Sequence, residues 1–170
     1  MAKNDPSAAR KPRADALRNR ERLLEVAREC FEEMGDATTF EDITSRSGLG
    51  VGTLYRHFPT REALAESVYI SEHERLVEAA VEFGTRLSPV EALRAWLRMF
   101  VDLLVTKRAM KESLNAFFDQ KPDVYSAVKD LAGQAISGLV KRAEDAKEIK
   151  AGIDPIDLLR VLVGLSSAST

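Results

Sequence analysis

The residues of this 170-residue chain best suited to chemistry lie close together in its first third. Gly52, Thr53, Tyr55, Arg56 and His57 set four hydrogen-bonding side chains beside a residue with no side chain. From Thr44 to Arg61 there are three arginines and no acid, so an anionic partner, if there is one, should face this part of the chain. Such side chains donate hydrogen bonds and carry charge. On a short helix, Gly52 lets a partner approach the backbone and Thr53 offers a hydroxyl and a methyl group to base edges, while Tyr55, His57 and Arg61 reach phosphates. Catalysis has no comparable footing. No serine, cysteine or carboxylate pair stands beside a histidine in a catalytic order, and no glycine loop has phosphate-cradling spacing. Cys30, His57 and His73 are the only soft ligands, too few for a thiolate and imidazole metal centre. Neither a metal nor a cofactor is expected.

For the donors to act together, a helix must hold them, and the apolar periodicity supplies one. Leu54 and Phe58, four apart, give the buried face of a third helix predicted over Val51 to Phe58. Before it, Thr39 with Asp42 three residues on has the spacing of a capping box. It starts a short second helix through Ile43 and Ser47, which ends in the tight turn Gly48-Leu49-Gly50. A longer first helix is predicted over Ala16 to Met34 from Leu23, Leu24, Ala27, Cys30, Phe31 and Met34, with Gly35 as its stop. Two short helices joined by a glycine-containing turn behind a longer one are a helix-turn-helix pattern. Pro59 and Thr60 then open a long fourth helix reaching about Phe83.

Beyond Gly84 the chain reads as further helices and no strands. Ser88-Pro89 opens one containing Leu93, Trp96, Phe100 and Leu104; another covers Arg108 to Phe118; a long one follows Pro122; and Asp154-Pro155 opens the last. The expected fold is all-α: an N-terminal three-helix helix-turn-helix domain joined by a long helix to a C-terminal antiparallel helical bundle. The boundaries expected are a flexible basic arm over 1–15, the helix-turn-helix over 16–60 and the helical domain over 61–170. The net charge of −2 argues against a wholly basic nucleic-acid binder. The charge is uneven, however, with eight basic and four acidic residues between Met1 and Arg28. The longest nearly unbroken apolar run, Ile156 to Leu165, is about half of the roughly 20 residues a membrane-spanning helix needs. With no secretory signal either, the protein reads as cytoplasmic.

Between Ala27 and Leu64 the sequence resembles the DNA-binding domain of TetR-type transcriptional regulators. The matching residues are Phe31, Gly35, Thr38-Thr39, Ile43, Ser47-Gly48-Leu49, the run Gly52-Thr53-Leu54-Tyr55-Arg56-His57-Phe58, and Arg61-Glu62-Ala63-Leu64. The resemblance implies a homodimeric repressor, paired through its C-terminal helices and released from a double-stranded DNA operator by a small-molecule effector. By position, Thr39 would cap the second helix and touch a phosphate, Gly52 and Thr53 would enter the major groove, and Tyr55, His57 and Arg61 would hold the backbone. Arg46 and Val51 are further candidates for base or methyl contacts. The pattern departs from the family's at Thr44, where alanine is common, at Gly50, in place of a frequent serine cap, and at Val51, in place of a polar residue.

From Pro89 to Leu165 the resemblance is looser, and the chain stops where the family usually has another helix, so a shortened dimer-forming region is expected. Trp96, Met99, Phe100, Met110, Phe117, Phe118 and Tyr125 are candidates to line an effector cavity, although aromatics at helical spacing are more often core. The competing reading is a helical ligand-binding or protein-interaction module without specific operator binding. The two differ in whether the protein binds duplex DNA with an affinity that falls steeply as salt rises.

Overall fold

A computed structural model describes residues 6–168. Among these residues the chain forms eight α-helices and no strand: α1 (Pro6–Met34), α2 (Phe40–Ser47), α3 (Val51–His57), α4 (Arg61–Arg86), α5 (Pro89–Ala109), α6 (Lys111–Gln120), α7 (Pro122–Asp145) and α8 (Pro155–Ala168). A 3-10 turn, Gly35–Ala37, joins α1 to α2. The all-α class expected from the sequence is the one observed.

Local chemistry places the starts and stops. At α2 the Asp42 amide donates to the Thr39 hydroxyl at 3.1 Å and the Thr39 amide donates to the Asp42 carboxylate at 2.9 Å, the reciprocal capping box that the spacing predicts. Gly48, at a φ of 71°, ends α2 in a left-handed conformation where a side chain would be strained. Thr60 accepts from the Ala63 amide at 3.2 Å and opens α4. Ser88 with Glu91 boxes the start of α5, and Asp154 accepts from the amides of Ile156 and Asp157 to open α8. Thr44, which departs from the family's alanine, donates its hydroxyl to the Glu41 carbonyl at 3.1 Å and so is satisfied within its own helix.

Two apolar cores hold the helices together. The first contains Leu23, Ala27 and Phe31 of α1, Ile43 of α2, Leu54 and Phe58 around α3, and Leu64, Val68 and Tyr69 of α4; Met110, Leu114 and Phe117 join it from the α6 region. The second lies farther along α4, where Leu76 and Ala79 pack with Trp96, Phe100 and Leu103 of α5 and Ile136, Leu139 and Val140 of α7. Each large side chain buried this way stabilises the fold by about 1.5–3 kcal/mol. With 26 residues, α4 is about 39 Å long at roughly 1.5 Å per residue, enough to run through both cores.

Of the stretch expected as a flexible arm over 1–15, the described residues, 6–15, are helical as part of α1; residues 1–5 lie outside the described residues. Across the division expected at residue 60, α6 and the start of α7 complete the hydrophobic interior of the helix-turn-helix.

Candidate nucleic-acid interface and the cavity on helix α4

Leu54 and Phe58 are fully buried and anchor α3, so the opposite face turns outward. Val51 and Tyr55 are half exposed there, at 50% and 53%. The Tyr55 ring meets Phe40 of α2 edge-on, with centroids 5.0 Å apart, which fixes its hydroxyl relative to both short helices. A Cβ added at Gly52 would meet nothing within 4 Å, so the packing of the protein itself does not require glycine there. Thr53 and His57 are partly covered. The Arg56 guanidinium donates to the Gly52 carbonyl at 3.1 Å and to the Thr53 hydroxyl at 3.0 Å. No carboxylate among the described residues pairs with it.

The other arginines of the basic stretch are differently placed. Arg46 pairs with Glu33 of α1 at 2.7 Å; an exposed pair of this kind is weak and readily exchanged. Thr39 is exposed, but its hydroxyl also donates to the Asp42 carboxylate at 2.6 Å. Arg61 does not reach outward as expected. It turns inward over the Phe31 ring, 5.1 Å from the centroid, donates to the Ser113 hydroxyl at 2.9 Å and to the Thr38 carbonyl, and lies 3.7 Å from Asp36. Asp36 in turn accepts from the Ser113 hydroxyl at 2.8 Å and the Glu112 amide at 3.0 Å. Burial pushes the Asp36 carboxyl up, but the amide of Glu112, the hydroxyl and amide of Ser113 and the charge of Arg61 outweigh it and hold the group below its ordinary value. The physical reason for the inward turn is supply: the turn after α1 and the start of α6 present a carboxylate, carbonyls and a hydroxyl that a guanidinium fork can satisfy together. Positional reading of the motif carried no sign of Ser113, which is 52 residues away along the chain.

A second tie runs from α1 to α5 and α4. Arg28 pairs with Glu32 at 2.8 Å and stands 3.7 Å from Glu72, and the Thr106 hydroxyl donates to Glu32 at 2.6 Å. Cys30 is fully buried on α1, and burial raises its thiol pKa, so it is an inert core residue.

Where the two cores meet, a cavity of about 430 Å³ opens among α4, α5, α7 and α8, a volume within the range typical of small-molecule sites. Of the seven residues expected around an effector, Phe100 and Tyr125 line it. The others do not line this cavity. Trp96 is wholly buried, stacks on Phe100 and donates its indole N–H to the Leu76 carbonyl at 2.7 Å. Met110 and Phe117 belong to the first core, Met99 packs against the second, and Phe118 lies against Tyr125 and Tyr69. Sequence reasoning missed Tyr69, His73 and Lys107, which also line the cavity. The available signal was the buried stripe of α4, on which Tyr69 and His73 fall with Leu76 at helical spacing. His73 is 4% exposed and its Nδ1 lies 2.9 Å from the Tyr69 carbonyl. Burial, with help from Lys107 and against the hydrogen bond to Tyr69, pushes its pKa down to about 4, so it is neutral at pH 7 with Nδ1–H as the donor.

A depression of about 490 Å³ between α1 and α4 is lined by Glu21, Glu25, Glu72, Glu74 and Glu78 together with Arg20 and Arg75. No helix is long and apolar enough to cross a membrane among the described residues, nor is there a cluster of residues that would hold a metal.

Comparison with known proteins bears on both halves. The family model for bacterial regulatory proteins of the tetR family matches residues 23–68, and that for the C-terminal domain of SbtR-like transcriptional regulators matches residues 88–170. A TetR transcriptional regulator from Streptomyces coelicolor is 37% identical, with a TM-score of 0.80 over 88% of this chain and 86% of that one. A TetR transcription regulatory protein from Mycobacterium vanbaalenii is 30% identical, with a TM-score of 0.77 over 91% of this chain and 93% of that one. The HTH-type transcriptional regulator UidR of Escherichia coli is 26% identical over 167 residues, 89% of this chain and 80% of the relative. An HTH-type transcriptional regulator of Staphylococcus aureus is 29% identical over 123 residues, 69% of this chain and 62% of the relative.

Proposed function

The chain belongs to the TetR family of DNA-binding transcriptional regulators, and from that premise we propose that it is a homodimeric repressor released from its operator by a small molecule held in the cavity on α4. The observation that carries this reading is the outward face of α3. Gly52 has open space in front of it, Val51 and Tyr55 are exposed, and Arg56 has no acidic partner among the described residues, while Leu54 and Phe58 lock the helix from behind. In the proposed complex, Gly52 and Thr53 enter the major groove with Val51 and Arg46 at neighbouring bases. Thr39, Tyr55 and His57 hold phosphates. Arg56 takes the phosphate role first assigned to Arg61, since Arg61 is committed inside the protein.

The dimer face proposed is the apolar stripe left uncovered on α7 and α8. Leu131, Val161 and Leu165 are all exposed there, on the C-terminal helices expected to pair. Release is proposed to start at α4, which carries Tyr69 and His73 into the cavity and is tied at its N-terminus, through Arg61, to the turn before α2 and to α6. Filling the cavity would move α4 and change the spacing of the two α3 helices, which must suit half-sites about one helical turn, roughly 34 Å, apart.

The test is binding of the intact protein to fragments of its native upstream DNA at two salt concentrations, with Gly52→Ala as control. The expected result is selective binding that weakens steeply as salt rises, because arginines displace counterions. Gly52→Ala should fold at least as stably, since alanine favours a helix over glycine by up to about 1 kcal/mol, yet lose operator affinity because its methyl group stands in the groove. Non-selective binding would overturn the reading and favour an interaction module, and unchanged binding by Gly52→Ala would take the start of α3 out of the groove.

A further inference from the structure

The cavity on α4 has a chemical bias of its own. Its walls are apolar over much of their area, with Phe100, Leu103, Leu104, Leu159 and Val163 among the lining residues. Its charged groups are Lys107 from α5, Lys129 and Asp130 from α7 and Arg160 from α8, three cations against one carboxylate. Arg160 is already paired, at 2.7 Å, with Asp157 of its own helix. Lys107 is not. Its ammonium is partly buried, 5.1 Å from the Phe118 ring centroid, 5.3 Å from that of Tyr125 and 6.0 Å from that of Tyr69. Its one hydrogen bond, 3.2 Å to the Tyr125 hydroxyl, is to a neutral group. A part-covered ammonium beside aromatic faces gains some cation–π attraction, but no carboxylate among the described residues neutralises it.

His73 adds an independent observation. It lines the same cavity, is 4% exposed, and uses Nδ1–H on the Tyr69 carbonyl, which leaves Nε2 as a lone-pair acceptor with no protein partner. Nε2 therefore offers the cavity a hydrogen-bond acceptor, which a hydroxyl or a water can fill and a carboxylate cannot. The imidazole is held neutral and contributes no positive charge, so the net field at the inner end is that of Lys107.

We propose that the cavity takes a small organic anion with an apolar body, its carboxylate paired with Lys107 and its body against the aliphatic wall from α5 and α8. The proposal rests on the reading of this cavity as the effector site and narrows it to a ligand class. Pairing would place the ligand's charge at Lys107, near Tyr69 of α4, and its body on the α5 and α8 wall, at the seam between the two cores.

The experiment is calorimetric titration of the intact dimer at neutral pH with matched probes: octanoate, octanol and octylamine, and phenylacetate, phenylethanol and phenylethylamine. The expected result is that one or both acids bind about tenfold or more tighter than the alcohol and amine of the same skeleton, the factor one charge-assisted hydrogen bond supplies. Lys107→Met should remove that preference and Lys107→Arg, which keeps the charge, should retain it. Equal or tighter binding of an alcohol or amine, Lys107→Met binding the acid as wild type does, or no binding by either acid at millimolar concentration would each overturn the proposal. Adding operator DNA separates the two readings. Acids that bind through Lys107 but leave the DNA complex intact would defeat the effector role and keep the anion site. Release of DNA by the neutral probes alone would do the reverse.

Discussion

His73 is a basic side chain kept where its charged form is unwelcome, and the consequence is measurable. Its pKa of about 4 in the folded protein lies below the 6.5 of an unperturbed imidazole. Between those values the unfolded chain binds the proton first, so stability falls as pH drops from about 6.5 towards 4, by up to about 1.4 kcal/mol per pH unit. The lowered carboxyls, Asp36 and Asp42 among them, lose their contribution only as pH falls through their own lower range. Urea midpoints at pH 7.5, 6.5 and 5.5 should therefore decline for the wild type and stay nearly level for His73→Phe. Parallel curves for the two proteins would contradict the account of this residue. Neither the neutral state of His73 nor its place in a cavity was legible from the sequence. A lone histidine on an apolar stripe looks the same whether it faces a packed core or a void, and the void exists only because α5, α7 and α8 fail to fill it. The donors of α3 were legible because their neighbours in sequence are also their neighbours in space.

At the scale of elements, the capped starts of α2, α4, α5 and α8 follow from short-range patterns, since a cap and its partner lie within three residues. What joins the elements does not. Arg61, Asp36 and Ser113 come from α4, the turn after α1 and α6, and nothing in their spacing along the chain announces the contact. This joint predicts that Arg61→Gln destabilises the fold by about 2 kcal/mol, the scale of hydrogen bonds made to a charged group. Read by thermal unfolding and by duplex titration at several salt concentrations, the variant should melt earlier and keep the wild-type dependence of affinity on salt, because no phosphate contact has been lost. Unchanged stability with a flatter salt dependence would return Arg61 to the DNA backbone.

Across the whole molecule, α4 and α7 each contribute to both cores and line the cavity between them, and α4 also leads directly from the helix-turn-helix. The first core contains the helix-turn-helix together with α6, so the DNA-reading unit and the bundle are not separable bodies joined by a rod; they share side chains. This could not be read along the sequence, where the motif ends near residue 64 and Met110, Leu114 and Phe117 look like part of a different domain. A ligand at the seam acts on the packing of α4 against α5 and α7, and α4 passes the change to α3 through Phe58 and Leu64, which share the first core. The account's central claim is that occupying the cavity changes the separation of the two recognition helices.

The most direct measurement uses one spin label per protomer, at Glu41→Cys on exposed α2, with the buried Cys30 left unmodified, to record distances between protomers with and without a ligand that displaces operator DNA. The account predicts that the ligand shifts the mean distance by several ångströms, away from the spacing seen with the operator bound. A ligand that frees the DNA while leaving the distance distribution unchanged would contradict it.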